Sequence, residues 1–253
     1  MFSNNTYIIL SHPQLAMNIG LVARAIQNFN ITNLRLVNPK QDIINNDEFK
    51  NIALKSSADA KEIFKNITVF NSLQNAIADL HCSFSITSRK RYLHKDFISL
   101  HDLLNNTYFK SINNQNNKIG FVFGCEKSGL SNQEISCTNA CIYIPSNINF
   151  PSLNLSHAVL AVSYELSKRK EFSLQNQVIN NDSKHDFATN SDTQIFLEYF
   201  FQTLTDKNFF PEINKKELMM QNLSSIFLKS KLTKKDIKTL TGVVKILSNN
   251  RIK

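Results

Sequence analysis

Three short stretches carry side chains whose types and spacing could do chemistry. The first runs from Asn18 to Phe29 and contains Arg24. Leu21, Arg24 and Asn28 recur there at three and four residues, off the apolar stripe of Ile19, Val22, Ala23, Ile26 and Phe29. That spacing puts Arg24 on the polar side of a helix, for which Asn18 is a candidate N-cap. A guanidinium so placed is either a solvated surface charge or a cation able to hold a phosphate and stabilise a developing alkoxide. The second stretch holds three of the five glycines, Gly120, Gly124 and Gly129, with Glu126 and Lys127 between them. It begins as a strand and ends in a turn ahead of a helix at Ser131–Ile135. Such a cluster reads as a tight strand-to-helix connection or as backbone shaped for close ligand approach. The third stretch is Pro151, Ser152, Leu153 and Asn154 before a helix. Ser152 and Asn154 are capping residue types as well as polar groups that can line a pocket. His157 reads as a packing or capping residue.

Composition excludes several other chemistries. No Gly-x-Gly-x-x-Gly turn and no Gly-x-x-x-x-Gly-Lys-Ser loop occurs, so neither a dinucleotide fingerprint nor a nucleotide phosphate loop is present. Cys137 and Cys141 have three residues between them, unlike a Cys-x-x-Cys metal or redox site, and no histidine pair lies near them. Cys82, Cys125, Cys137 and Cys141 are expected to be reduced structural thiols, with no metal. No apolar run approaches a membrane span, and the first residues lack a basic leader, so a cytoplasmic protein with no membrane partner is expected. The net charge of +9 suits a polyanion partner without specifying one.

The elements that must position these residues are legible from periodicity. Apolar strand signals recur at Tyr7–Leu10, Leu34–Val37, Ile67–Phe70, Cys82–Ile86, Ile119–Phe123 and Cys141–Ile144. Helical patterns lie between them, at Ser57–Phe64 and Ser72–Leu80, and a longer one runs from Leu155 to about Glu171. This alternation predicts an α/β fold with a parallel sheet covered on both faces. From Phe172 to Asn190 the chain is polar and aperiodic and reads as a linker. Beyond it, Ile195–Leu204, Lys216–Lys229 and Thr233–Ser248 read as helices, the last opened by a Thr233/Asp236 capping box. Residues 191–253 hold eleven Lys or Arg against six Asp or Glu. The expected organisation is therefore 1–171, a linker at 172–190, and a basic all-helical extension at 191–253.

Taken in order, the three stretches resemble the three motifs of the SpoU/TrmH family of RNA 2′-O-ribose methyltransferases, over about residues 6–170. Thr87, Ser88, Arg89, Lys90 and Arg91 after a strand, together with Leu232-Thr233 and Leu240–Val243 in the tail, are similar to the TrmJ-like subgroup. A strand signal beginning at Tyr7 leaves no room for the N-terminal RNA-binding domain of the ribosomal-RNA enzymes. Two departures stand out: Cys125 occupies a position usually held by Arg or Asn, and Asn30 follows Phe29 where glycine is common. Asparagine tolerates the left-handed conformation that such a glycine adopts.

The resemblance implies a deep trefoil knot over about residues 121–154, S-adenosyl-L-methionine as cofactor, tRNA as substrate and a homodimer. It implies methylation at ribose 32 of the anticodon loop. It assigns catalysis to Arg24, Asn18, Glu126, Ser152 and Asn154. Cofactor contacts fall to Thr87, Ser88, Arg89, Gly124, Ile144, Pro151, Ser152 and Leu153. RNA contacts fall to Arg24, Arg89, Lys90, Arg91 and Lys127. Arg24 is then either a perturbed general base or a charged clamp on the phosphate and alkoxide. The alternatives are a sibling enzyme acting on another tRNA or rRNA ribose, and a non-catalytic RNA-binding protein of the same fold.

Overall fold

The computed structural model describes residues 5–58, 60–88, 95–112, 117–168, 186–210 and 213–248. Among them, seven strands form one sheet in the order β3-β2-β1-β6-β4-β7-β5. These are β1 (Thr6–Ser11), β2 (Asn33–Val37), β3 (Thr68–Phe70), β4 (Cys82–Ile86), β5 (Phe97–Ser99), β6 (Ile119–Phe123) and β7 (Ala140–Tyr143). Every adjacent pair runs parallel. The six strands expected from apolar runs are all present. Only β5 was illegible, because three residues on a sheet edge carry no usable period.

Alternation along each strand builds two apolar layers. Ile8, Leu10, Leu34, Leu36, Cys82, Phe84, Phe121, Phe123 and Ile142 point to one face. There they meet α1 (Ala16–Gln27), α2 (Asp47–Ser56), α3 (Lys61–Lys65), α5 (Thr107–Ile112) and α7 (Leu155–Ser167). Phe84 stacks on Phe121 at 5.6 Å between ring centroids, with Phe109 tilted against both. Ile9, Val37, Val122 and Cys141 point to the opposite face, under α4 (Leu73–Ile77) and α6 (Asn132–Ser136).

One helix differs from expectation. The pattern predicted a helix at Ser57–Phe64, whereas α2 ends at Ser56 and α3 starts at Lys61. Asn46 opens α2, its side chain accepting from the amides of Glu48 and Phe49. The α2 face toward α1 is built from small residues, and Ala53 is its buried residue, so the apolar stripe is faint. Small residues are needed there because a Cβ on Gly20 would lie 2.1 Å from the carbonyl oxygen of Ala53. Ser56 Oγ closes the contact by donating to the Met17 carbonyl.

The C-terminal helices are α8 (Asn190–Asp206), α9 (Ile213–Lys229) and α10 (Lys234–Ser248). Thr233 and Asp236 form the expected reciprocal cap at the start of α10. Of the stretch read as a linker, residues 172–185 lie outside the described residues, as do 169–171 at the expected end of α7. Residues 186–190 correct that reading. Phe187 and Ala188 are buried, Ala188 N donates to Leu232 O, and Lys234 N donates to Asp186 O. Asn190 N and Ser191 N donate to Leu80 O and Ala78 O, and Asn190 Nδ2 donates to Ile77 O. Polar composition concealed a docking segment whose amides cap the carbonyl end of α4. No described helix is long and apolar enough to cross a membrane.

At the opposite end of the sheet from the loops after β4, β6 and β7, Arg35 is buried and donates two bonds to Asp79, at 2.6 and 3.0 Å. Its guanidinium lies 4.1 Å from the Tyr7 ring centroid. Lys118 Nζ reaches the same carboxylate at 2.8 Å. Burial opposes ionisation of Asp79, but the hydrogen bonds from Arg35 and Lys118 outweigh it and hold its pKa at about 2.

Two stability predictions follow from this packing. Gly20→Ala forces a methyl into the Ala53 backbone and should lower the unfolding free energy by about 1–3 kcal/mol in urea titrations; an unchanged midpoint would contradict the close helix crossing. The Asp79 contribution is full above its unfolded pKa of about 4 and is lost as pH falls through about 2. The stability gap between the native chain and Asp79→Asn should therefore be constant above pH ~4 and narrow below it. A gap independent of pH over that window would show that the charge contributes nothing.

Candidate functional site

In open α/β sheets ligands bind outside the carboxyl ends of the strands. The carboxyl ends of β4, β6 and β7 here surround a cleft. Thr87 and Ser88 follow β4, residues 124–130 follow β6, and Ile144 and Pro151–Leu153 follow β7. Seven of the eight residues expected to contact a cofactor are thus brought together, namely Thr87, Ser88, Gly124, Ile144, Pro151, Ser152 and Leu153. The eighth, Arg89, lies outside the described residues with Lys90 and Arg91. Lys127 is exposed along the cleft, and Cys125 is half-exposed in its wall.

The glycines shape the loop after β6. A Cβ on Gly124 would lie 2.2 Å from the carbonyl carbon of Gly129, because the loop folds back on itself. Gly129 has φ of +69° and donates its N–H to Cys125 O at 2.8 Å. Leu130 then plugs the second apolar layer. Ser131 and Glu134 form a capping box on α6, and Glu134 also accepts from Ser11 Oγ at the end of β1. Burial tends to raise the pKa of Glu134, but the bonds from Ser11 and Ser131 outweigh it and hold it below the usual carboxylate range.

Glu126 ties this loop to α1. Its Oε2 accepts from Gln14 N at 2.9 Å, and its Oε1 accepts from Asn18 Nδ2 at 2.9 Å and from Leu15 N at 3.4 Å. Gln41 Oε1 accepts from Ala16 N at 2.7 Å. The residue before α1 is Leu15, whose side chain cannot cap, so the orphan amides of the helix are satisfied from elsewhere in the chain. The expectation that Asn18 is the N-cap is therefore corrected. Asn18 sits inside the first turn, buried, with its side-chain amide bonded to Glu126.

Asn154 is the N-cap of α7, its Oδ1 accepting from Ser156 N and Ser156 Oγ. It does not line the cleft, whereas Ser152 does. Arg24 is exposed on α1 and is not part of the cleft wall, and its side chain makes no hydrogen bond or ion pair among the described residues. Beyond it, Asn30 takes φ of +58°. Asn30 N bonds to Gln27 O and Ile31 N to Ile26 O, a Schellman ending in which asparagine replaces glycine. His157 is exposed on the outward side of α7, in a row with Leu153, Leu160 and Tyr164.

Sequence reasoning missed Gln14, Gln41 and Glu134. The Ser131/Glu134 spacing was a readable capping signal. Gln14 acts through its backbone and Gln41 from a distant loop, so neither carried one.

A family model described as the SpoU rRNA Methylase family matches residues 5–164. A tRNA (cytidine-2′-O-)-methyltransferase TrmJ of Methanocaldococcus jannaschii is 30% identical, over 83% of this chain and 86% of its own length. A tRNA (cytidine/uridine-2′-O-)-methyltransferase TrmJ of Photorhabdus laumondii is 25% identical, over 95% of each. The crystal structure of TrmJ from Zymomonas mobilis ZM4 superimposes with a TM-score of 0.81 at 27% identity, covering 96% of this chain and 99% of that one.

The Glu126 bonds generate a graded prediction. Glu126→Ala should lower the unfolding free energy by about 1–2 kcal/mol, the scale of a lost helix cap plus its charge–dipole term. Glu126→Gln, which keeps one acceptor oxygen, should lose less than half of that. Urea unfolding of both variants measures it, and equal losses would mean that the carboxylate charge, rather than its hydrogen bonds, holds the helix.

Proposed function

The chain belongs to the SpoU rRNA methylase family, and from that membership we propose that it is an S-adenosylmethionine-dependent tRNA 2′-O-ribose methyltransferase acting on cytidine or uridine 32 of the anticodon loop. The observation that carries this reading is the bonding of Glu126, in the cleft wall, to the Asn18 side chain on α1 and to the amides of Gln14 and Leu15 just before that helix. The loops read as a cofactor site and the helix bearing Arg24 form one unit. The printed activities of the TrmJ relatives support the same target chemistry.

The cleft fits the cofactor. Ile86, Leu130, Ile144 and Leu155 supply apolar surface for an adenine, and the hydroxyls of Thr87, Ser88 and Ser152 with loop backbone supply polar contacts. When bound, S-adenosylmethionine supplies the electrophilic methyl group. The protein's part is to place a ribose hydroxyl and stabilise its negative charge. An arginine guanidinium stays charged in proteins, so Arg24 acts as the clamp on the neighbouring phosphate and the developing alkoxide. Asn18 and Glu126 position α1, Ser152 lines the pocket, and Asn154 fixes the start of α7 behind it. Lys127, with Arg89, Lys90 and Arg91, supplies phosphate contacts.

Residues 1–171 form the catalytic unit in this reading and 191–253 a basic helical extension, whose entry at Asn190 is docked on the carbonyls of Ile77 and Leu80. The order β4-β7-β5, which sets β7 between two strands that precede it in the chain, supports a trefoil knot over about residues 121–154. A homodimer is supported by the outward Leu160 and Tyr164 on α7, with Leu15 and Met17 exposed at the start of α1. The protein works in the cytoplasm.

Incubation with labelled cofactor and unmodified tRNA, followed by mass-spectrometric mapping of riboses, tests the proposal. Label is expected at ribose 32, and Arg24→Ala should reduce transfer by about 10²-fold or more with cofactor affinity retained. Label elsewhere in tRNA or only in rRNA refutes the position; cofactor and tRNA binding with no transfer refutes the enzyme.

A further inference from the structure

The turn between β7 and the cleft residues Pro151–Leu153 presents an aromatic ring to solvent. Phe150 is 76% exposed and makes no ring contact among the described residues. Its backbone is fixed nonetheless. Phe150 N donates to Asn147 O at 3.0 Å, closing a four-residue turn. Asn149 N donates to Asn147 Oδ1 at 2.9 Å, and Ser146 Oγ donates to Pro151 O at 3.2 Å. A following proline restricts Phe150 further to extended conformations. A large ring held in water by a braced turn leaves an aromatic face open to a ligand.

Its neighbours narrow the choice. Ser146, Asn147 and Asn149 are exposed around it, with the aliphatic Ile148 as the apolar neighbour on the same turn, so the ring stands mostly among hydrogen-bonding groups. A surface that pairs with a second copy of this chain needs contiguous apolar area, and the outward row of α7 already offers that. A flat ring flanked by amides, beside a cleft along which Lys127 is exposed, matches the way single-stranded RNA bases are held: stacked on an aromatic face, with polar edges and phosphates contacted nearby. A ribose hydroxyl within an ordered loop must also be freed from its stack before it can enter a cleft, and a replacement stack offsets that cost.

We propose that Phe150 is the stacking platform for a nucleobase of the substrate RNA, at or next to the nucleotide whose ribose enters the cleft. This inference rests on the function proposed above. It makes Phe150 a positioning residue for the RNA, with no role toward the cofactor.

The test compares Phe150→Ala, Phe150→Leu and Phe150→Trp, with Ile148→Ala as the control on the same turn, where Ile148 is 90% exposed. Methyl-transfer kinetics use an unmodified tRNA transcript, and binding is read from 2-aminopurine fluorescence at anticodon-loop positions. Phe150→Ala and Phe150→Leu should lower kcat/KM by about tenfold, chiefly through KM, while Phe150→Trp and Ile148→Ala stay within about twofold. Cofactor affinity and sedimentation should be unchanged in all four. Full activity of Phe150→Leu would overturn stacking, since an aliphatic contact would then suffice. Equal damage from Ile148→Ala together with altered sedimentation would overturn it in favour of a protein interface. If the unsubstituted protein transfers no methyl group, the enzyme reading fails, yet 2-aminopurine still scores this inference. Quenching by the unsubstituted protein and Phe150→Trp but not Phe150→Leu upholds it, and equal quenching by all overturns it.

Discussion

The arrangement depends on one carboxylate. Glu126 belongs to a loop that lines the cleft, yet its oxygens accept from the amides of Gln14 and Leu15 at the entrance to α1 and from a side chain 108 residues away in sequence. A helix begun by Leu15 has no local means of satisfying those amides. Left unpaired they would carry a desolvation cost, and the positive end of the helix dipole would face no charge. The carboxylate answers both needs, and Gln41 takes the next amide. A structural requirement of α1 is thereby met by a group whose position is set by the cleft. Arg24 lies eight residues beyond Ala16, so a rise of about 12 Å along a rigid helix fixes its height relative to the cleft wall.

The sheet makes that connection exact enough to matter. Parallel pairing of β1, β6, β4 and β7 brings their carboxyl ends to one edge, and the loops after β6 and β7 are internally bonded. Gly124 and Gly129 let the loop after β6 fold back until its own backbone atoms nearly touch. Gly20 performs the comparable service for α1, which could not otherwise sit against the carbonyls of α2. Gly20 and Gly124 thus act by permitting backbone approach, and Gly129 by its left-handed φ. They control where the wall of the cleft and the helix that flanks it can lie.

Much of this was legible in the residue order, and the failures have physical causes. Apolar strand runs and the Arg24 helix were readable because burial on one face imposes a period. The helix at 47–56 was not, because its contact face had to be small for the crossing with α1, and small residues do not register as an apolar stripe. Asn18 looked like a cap because its residue type favours that role; its placement in the first turn depends on Glu126, which no local pattern announces. The convergence of residues 87–88, 124–130 and 151–153 on one cleft was expected only from the resemblance of three motifs, since spacing alone cannot reveal which loops share a sheet edge. Asn30 illustrates the opposite case: a departure from a common glycine was readable in advance, because asparagine adopts the same left-handed backbone.

The C-terminal helices show why composition is a poor guide to where a folding unit ends. Residues 186–190 are polar enough to resemble a tether, yet their amides and the Asn190 side chain occupy carbonyls of α4 and the turn after it. Farther along, Asn139, buried between β4 and α6, receives no complete set of partners from the sheet. Its Oδ1 accepts from Ser83 N and its Nδ2 donates to Leu228 O on α9. Hydrogen bonds buried at two turns of the α/β unit are therefore completed only by the tail. A segment that supplies them is part of the same energetic accounting as the sheet, whatever its charge suggests. The lysines of α9 and α10 are consequently held to the α/β unit by main-chain and side-chain bonds.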